Sequence, residues 1–84
     1  MAAGRISHTY GFKGPSVSFD TACSSSLFGL HQASHSLRAG ECEFAVVGAV
    51  NLILLPMITE NFTKAGMLAS DGHCKVFSEQ ADGY

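Results

Sequence analysis

Three cysteines and four histidines are the side chains in this 84-residue sequence best equipped for covalent or metal chemistry. Cys23 is distinguished by its surroundings. It follows Ser16-Val17-Ser18-Phe19-Asp20, where small polar and apolar residues alternate, and it precedes a stretch with helical spacing. A thiol at such a strand-to-helix junction sits where helix N–H groups lack partners and partial positive charge collects. A thiolate is stabilised there, and the sulfur becomes a better nucleophile. A sharp turn of this kind also presents its side chain outward, as nucleophile elbows do. Ala22, Ser24, Ser25 and Ser26 are small enough to leave room for a substrate. The backbone N–H groups of the turn can receive a developing oxyanion. Position alone leaves a second reading open, because a free cysteine commonly serves as a small buried hydrophobe.

The remaining candidates carry less. His31 and His35 are four residues apart and share a helix face, but no third ligand accompanies them, so a structural role is expected. His8 and His73 fall near the ends of elements and are expected to be solvated. Cys42 and Cys74 lack the junction setting and are read as structural thiols, Cys74 lying in a loop beside Lys75. Asn51 ends an apolar run and is expected to satisfy backbone groups. Glu41, Glu43, Glu60, Asp71, Glu79 and Asp82 are scattered and suggest no paired-carboxylate acid–base site. There is no G-x-G-x-x-G or P-loop pattern, and neither a metal site nor a directly bound cofactor is expected.

The elements that must position Cys23 follow from the pattern of the chain. Residues 1–10 suit a short helix closed by Gly11, and Gly14-Pro15 signals a turn before the strand at 16–20. From Ser24 to Ala39, Leu27, Leu30, Ser34 and Leu37 recur at spacings of three and four, which predicts a helix with one apolar face, widened by Phe28 and Ala33. Arg38 in the last turn suits the helix dipole, and Gly40 suits a left-handed stop. Phe44 to Val50 is a continuous apolar run, as in a strand buried on both faces of a parallel sheet. Strand, helix, strand in that order predicts a βαβ unit. Pro56 opens a further predicted helix that ends at Gly66, and 67–84 reads as loop with a short extended piece.

Composition narrows the function classes. Hydrophobic residues make up 46% of the chain and charged residues 14%, with a formal net charge of -2. Ordinary domains carry roughly 25% charged residues. A chain this small should expose more surface than average, since it buries only about 60% of its unfolded area. The composition therefore resembles the interior of something larger, or an oligomer hiding apolar surface. It is too apolar for disorder, and five Lys and Arg without a cluster argue against a nucleic-acid partner. Unpaired cysteine usage points to a reducing, cytoplasmic setting. The first residues lack the apolar core of a signal peptide. The most apolar stretch, 44–58, is broken by Gly48, Asn51 and Pro56 and falls short of the ~20 residues a membrane helix needs.

Asp20-Thr21-Ala22-Cys23-Ser24-Ser25-Ser26-Leu27 resembles the active-site signature of β-ketoacyl synthases, the ketosynthase domains of type I polyketide synthases and fatty acid synthases. Gly4-Arg5-Ile6-Ser7, Gly14-Pro15-Ser16, Leu37-Arg38-Ala39-Gly40-Glu41-Cys42 and Gly48-Ala49-Val50-Asn51-Leu52 are similar to that family in the same order. So are Met67-Leu68-Ala69-Ser70-Asp71-Gly72, Cys74-Lys75 and Ala81-Asp82-Gly83-Tyr84. The resemblance implies an α/β fold, a fragment of a thiolase-like αβαβα layered architecture. It implies that residues 1–84 are a partial ketosynthase domain, the nucleophile region of its N-terminal half, with the remainder absent. Cys23 would be the acyl-thioester nucleophile in a decarboxylative Claisen condensation with a malonyl-type extender. Partners would be an acyl carrier protein, whose phosphopantetheine arm carries the substrates, and a second copy of the intact domain, with residues 16–20 near the two-fold axis.

The sequence also departs from the family pattern. The family uses two histidines in motifs such as H-G-T-G-T and a lysine-containing N-I-G-H segment, and this sequence contains neither. The fragment alone is therefore expected to be inactive. Val76 and Ser78 stand where Pro and Asp are common, and Phe28-Gly29 replaces a small aliphatic pair; Phe28 is expected to fill core. The serine-rich signature leans towards polyketide synthesis. Two rival functions are a thiolase acting on CoA esters and a non-catalytic, dimer-forming segment. The serines after Cys23 favour the synthase over the first, and the presence of Cys23 counts against the second.

Overall fold

Helix formation follows the local signals closely in the computed structural model, which describes residues 2–84. Helix α1 spans Ala2–Tyr10, a 3₁₀ turn covers Ala22–Ser24, α2 spans Ser25–Arg38 and α3 spans Pro56–Lys64. All three α-helices end in the same way. Gly11, Gly40 and Gly66 adopt φ of 70°, 73° and 70°, and the residue after each glycine donates its N–H back to a carbonyl five residues earlier, over 2.9, 3.0 and 3.0 Å. This is the Schellman closure, in which a left-handed residue lets the chain satisfy the last free carbonyls. Pro56 occupies the opening position of α3, where its missing N–H costs nothing.

The chain divides into two units, residues 1–50 and 51–84. In the first, the segments flanking α2 both touch it. Phe19 meets Phe28 edge-on with ring centroids 5.1 Å apart, and a Cβ built on Gly29 would lie 3.6 Å from Val47 Cγ1. Phe12 stacks on Tyr10 and sets its edge against Phe44. Phe28 therefore touches the segment that leads into the turn but stays 38% exposed, so it does not fill core as expected.

The two predicted strands are not formed. Among the described residues there is no β-strand, and neither 16–20 nor 44–50 has a backbone hydrogen-bond partner. The reason is pairing. A strand exists only through the N–H and C=O groups of a neighbour, and apolar alternation supplies side chains for a sheet but not that neighbour. The α/β layering expected from the strand–helix–strand order is therefore present only as contacts on α2, without a sheet.

The expected apolar face of α2 is also uncovered. Leu27, Leu30 and Leu37 are 71%, 52% and 41% exposed. Of the residues expected on that face, Phe28 makes a contact, and the other contact to α2 enters through Gly29. Ala69 is the single buried hydrophobic residue among those described.

In the second unit no strand forms where a short extended piece was expected within 67–84, but the last residue pairs with the segment after α3. The N–H of Tyr84 donates to the Met67 carbonyl over 3.1 Å, and the Ala69 N–H donates to the Tyr84 carbonyl over 2.9 Å. One residue bonding both sides of Leu68 is the pattern of a parallel pair. Gly83 makes this approach possible: a Cβ there would lie 2.6 Å from the Met67 carbonyl oxygen and 2.7 Å from the Ala69 nitrogen. Tyr84 then sets its ring against Phe62 of α3, 5.9 Å between centroids.

Candidate active site

The junction at Cys23 is built from short side chains folded back on their own backbone. The Ala22 N–H donates to the Asp20 carboxylate over 3.0 Å, closing a turn of two residues. The Thr21 N–H donates to Ser25 Oγ over 3.0 Å, and the same Ser25 hydroxyl donates to the Ala22 carbonyl over 2.6 Å. The Ser24 hydroxyl donates to the Thr21 carbonyl over 2.8 Å and lies 2.9 Å from the Thr21 hydroxyl. Asp, Thr and Ser compete well with regular structure for backbone groups at such positions. The sequence Asp20-Thr21-Ala22-Cys23-Ser24-Ser25 therefore makes a turn where an aliphatic sequence would not.

Ala22 carries the strain of this turn, with φ of +56°. A non-glycine residue in the left-handed region costs roughly 1–2 kcal/mol, and such residues concentrate at functional sites. Cys23 follows directly in the 3₁₀ turn and is exposed and free. Ser24 caps α2 without bonding to it, because its hydroxyl faces back to Thr21, and α2 has no acidic residue in its first turn. The first N–H groups of α2 thus keep their partial positive charge uncompensated by side chains. The arrangement leaves an exposed thiol on a hydrogen-bonded turn beside the first N–H groups of α2. Among the described residues no side chain is hydrogen-bonded to the Cys23 sulfur.

The other sequence candidates are dispersed. His31 and His35 face one another on α2, 5.8 Å between ring centroids, and no group of three His, Cys, Asp or Glu is found among the described residues. Cys42 is half-buried, and a Cβ on Gly14 would sit 3.4 Å from its Cβ; Cys74 is exposed.

Sequence reasoning missed one cluster. Asp71 and Asp82, read as scattered, converge on Lys75 Nζ over 3.0 and 2.6 Å. The Asp71 carboxylate also accepts the His73 N–H over 3.1 Å. That bond, and then Lys75, hold Asp71 below the usual carboxylate range. Asp82, and then Asp71, hold Lys75 above the usual lysine value. The i,i+4 spacing of Asp71 and Lys75 was a readable signal, whereas Asp82 arrives through intervening turns that no local spacing announces. The result is an ion triad and not an acid–base pair.

Comparison with known proteins places this turn in a family context. The family profile described as "Beta-ketoacyl synthase, N-terminal domain" matches residues 1–84. A fatty acid synthase of Anser anser anser is 57% identical over 84 residues, covering 100% of this chain and 24% of that protein. The spectinabilin polyketide synthase system protein NorA' of Streptomyces orinoci is 51% identical over 83 residues, 99% of this chain and 2% of that protein. The phenolphthiocerol synthesis polyketide synthase type I Pks15/1 of Mycobacterium bovis is 51% identical over 83 residues, 99% of this chain and 4% of that protein. The chain thus spans a quarter or less of these relatives, which include both fatty acid and polyketide synthases. No helix among the described residues is long and apolar enough to cross a membrane. With its whole length matched by the family profile, the chain belongs to the β-ketoacyl synthase family, in the N-terminal domain of that family.

Proposed function

We propose that this chain is the nucleophile-bearing part of a β-ketoacyl synthase, an acyltransferase that extends acyl chains by decarboxylative Claisen condensation. The observation that carries this reading is the family match along all 84 residues, which includes an exposed cysteine at a strained, hydrogen-bonded turn. Cys23 is the nucleophile. Its thiolate attacks the carbonyl of an acyl thioester carried on the phosphopantetheine arm of an acyl carrier protein. The tetrahedral oxyanion collapses, the carrier thiolate leaves and takes up a proton, and the acyl group remains on the Cys23 sulfur. A malonyl-type thioester then loses CO2, and the electron pair released forms a carbanion equivalent. That carbon attacks the Cys23 thioester carbonyl, a C–C bond forms, the C–S bond breaks, and Cys23 departs as thiolate. The product is a β-ketoacyl chain longer by two carbons, and nothing is oxidised or reduced. Dividing the transfer into two steps is the gain from covalent catalysis.

In this proposal residues 1–84 are a partial domain. The two histidine motifs of the family belong to other parts of the intact synthase, so the 84 residues alone do not condense. The segments 16–20 and 44–50 become strands of a thiolase-like sheet when neighbouring strands pair with them, and the leucine row of α2 gains cover there. The intact domain pairs as a homodimer and works in the cytoplasm.

The test is acyl loading of the synthase that contains this segment, with an acyl-carrier protein donor and peptide mass spectrometry as the readout. The acyl group is expected on Cys23 and on neither Cys42 nor Cys74. Loading that persists with unchanged stoichiometry in Cys23→Ala would sink the assignment. Equal loading from acyl-CoA in competition with the carrier protein would favour a thiolase instead.

A further inference from the structure

We infer that Ser25 is a positioning residue for Cys23, a role that rests on the nucleophile reading above. Its hydroxyl is used twice: it accepts the Thr21 N–H over 3.0 Å and donates to the Ala22 carbonyl over 2.6 Å. The two backbone groups flank the left-handed residue, Ala22, at φ +56°. The Ala22 carbonyl belongs to the peptide group whose nitrogen is that of Cys23. Fixing this peptide plane fixes the direction in which the Cys23 Cα–Cβ bond leaves the turn.

The bridge is particular to this hydroxyl. The Ala22 carbonyl also accepts the Ser25 backbone N–H, so the residue holds that oxygen from both its main chain and its side chain. Ser24, one residue earlier, reaches only Thr21. Ser34, on the same helix, makes the ordinary bond of a helical serine to the carbonyl four residues back, over 2.9 Å from Leu30. A group that both donates and accepts is required at position 25, and only a hydroxyl of serine or threonine length supplies it. Alanine there leaves the left-handed turn without its tie, and the sulfur samples directions that do not reach the acyl carbonyl. Misplacement on the ångström scale costs up to about a hundredfold in rate.

The experiment compares Ser25→Ala, Ser25→Thr and Ser34→Ala in the synthase containing this segment, with Cys23→Ala as the reference for loss of the nucleophile. Two quantities are read: the rate constant and half-saturation for acyl loading of Cys23, and amide hydrogen exchange at Thr21. Ser25→Ala is expected to slow loading by about tenfold or more at unchanged half-saturation and to speed Thr21 exchange. Ser25→Thr is expected to restore both, and Ser34→Ala to change neither. If Ser25→Ala proves poorly folded, Ser25→Thr decides: normal loading with a protected Thr21 amide supports the bridge, and slow loading overturns it. Unchanged loading, or unchanged Thr21 exchange, in a folded Ser25→Ala protein overturns the inference while leaving Cys23 as nucleophile. Loading that survives Cys23→Ala overturns the nucleophile reading and this inference with it.

Discussion

Two exposed turns of this chain begin with the same device and then diverge. Asp20 accepts the N–H of Ala22, and Asp71 accepts the N–H of His73, each two residues on and over 3.0 and 3.1 Å. Beyond that point the first turn is tied by neutral hydroxyls of Thr21, Ser24 and Ser25. The second is tied by charge, with Lys75 between Asp71 and Asp82. The difference has a physical logic. On the nucleophile reading proposed above, a turn that must tolerate a transient oxyanion gains from neutral ties, and here the Asp20 carboxylate is the one charged group among them. A turn that only has to close a loop can use an ion triad, which is screened by salt and contributes little when exposed.

Removing the Cys23 sulfur should separate the two turns most widely. Cys23→Ala is expected to lower acyl loading by at least about a thousandfold, whereas Cys74→Ala, in the charged loop, leaves loading intact. Comparable losses in the two variants, measured as acylated peptide, would abolish the functional distinction between the regions.

The paired aspartates give the next largest contrast. Asp20→Ala frees the Ala22 N–H at a cost of about 1 kcal/mol, which is about a fivefold shift in the population of the ordered turn. Loading should fall by a similar factor, and the Ala22 amide should exchange faster. Asp71→Ala is expected to speed exchange at His73 while leaving loading unchanged. Equal effects on loading would show that the two devices are not separate.

Acid and base act on the second turn through its ion triad. The Asp71 carboxyl is held down in the folded chain, first by the His73 N–H and then by Lys75. Its contribution to stability is therefore present above the ordinary carboxylate value and is lost as pH falls through the depressed one. Lys75 is held up, first by Asp82 and then by Asp71. Its contribution is complete below the ordinary lysine value and is lost as pH rises through the raised one. Loop 71–82 should be most ordered on the plateau between these limits. In Lys75→Met the carboxyl carbon shift of Asp71 should titrate at higher pH, but only part of the way to the ordinary value, because the His73 bond remains. A full return to the ordinary value would mean that charge alone, without the shared backbone device, sets this turn.

What could be read from the sequence was what is local. The three helices and their glycine stops depend on residues within one or two turns, and each was legible to within a residue or two. Cys23 was legible as the entry to a helix because helical spacing begins just after it, whereas the folding back of Asp20, Thr21, Ser24 and Ser25 onto their own backbone was not read. The strands were not legible, since Ser16–Asp20 and Phe44–Val50 state only which side chains a sheet would accept and nothing about the neighbour that completes it. The covered side of α2 was read only in part: Phe28 was placed on the apolar face, but Gly29 enters a contact through having no side chain, which a ranking by apolarity passes over. The Lys75 triad depended on Asp82, brought near by turns that leave no periodic trace.

The smallest expected effect tests whether the strain at Ala22 is itself part of the difference between the two turns. Gly72 stands next to Asp71 with φ of +71°, and a Cβ there would meet nothing within 4 Å. Gly72→Ala should therefore cost only the left-handed penalty, about 1 kcal/mol, partly offset by a less flexible unfolded chain. Ala22→Gly is the reverse substitution. It removes a similar penalty at φ +56° and adds about 0.5–1 kcal/mol of unfolded-state entropy. The net change in unfolding free energy should lie within about 1 kcal/mol of zero. If strain serves only folding, loading of the glycine variant matches the parent. If alanine at 22 restricts where the Cys23 sulfur points, loading slows although stability is unchanged. The second outcome is expected, because glycine reaches more backbone conformations than alanine, and those the Ser25 bridge does not hold aim the sulfur elsewhere. A glycine variant that loads at the parent rate, with the same Thr21 protection, would show that the Ser25 bridge alone positions the sulfur and that the strain at Ala22 is a consequence of the turn.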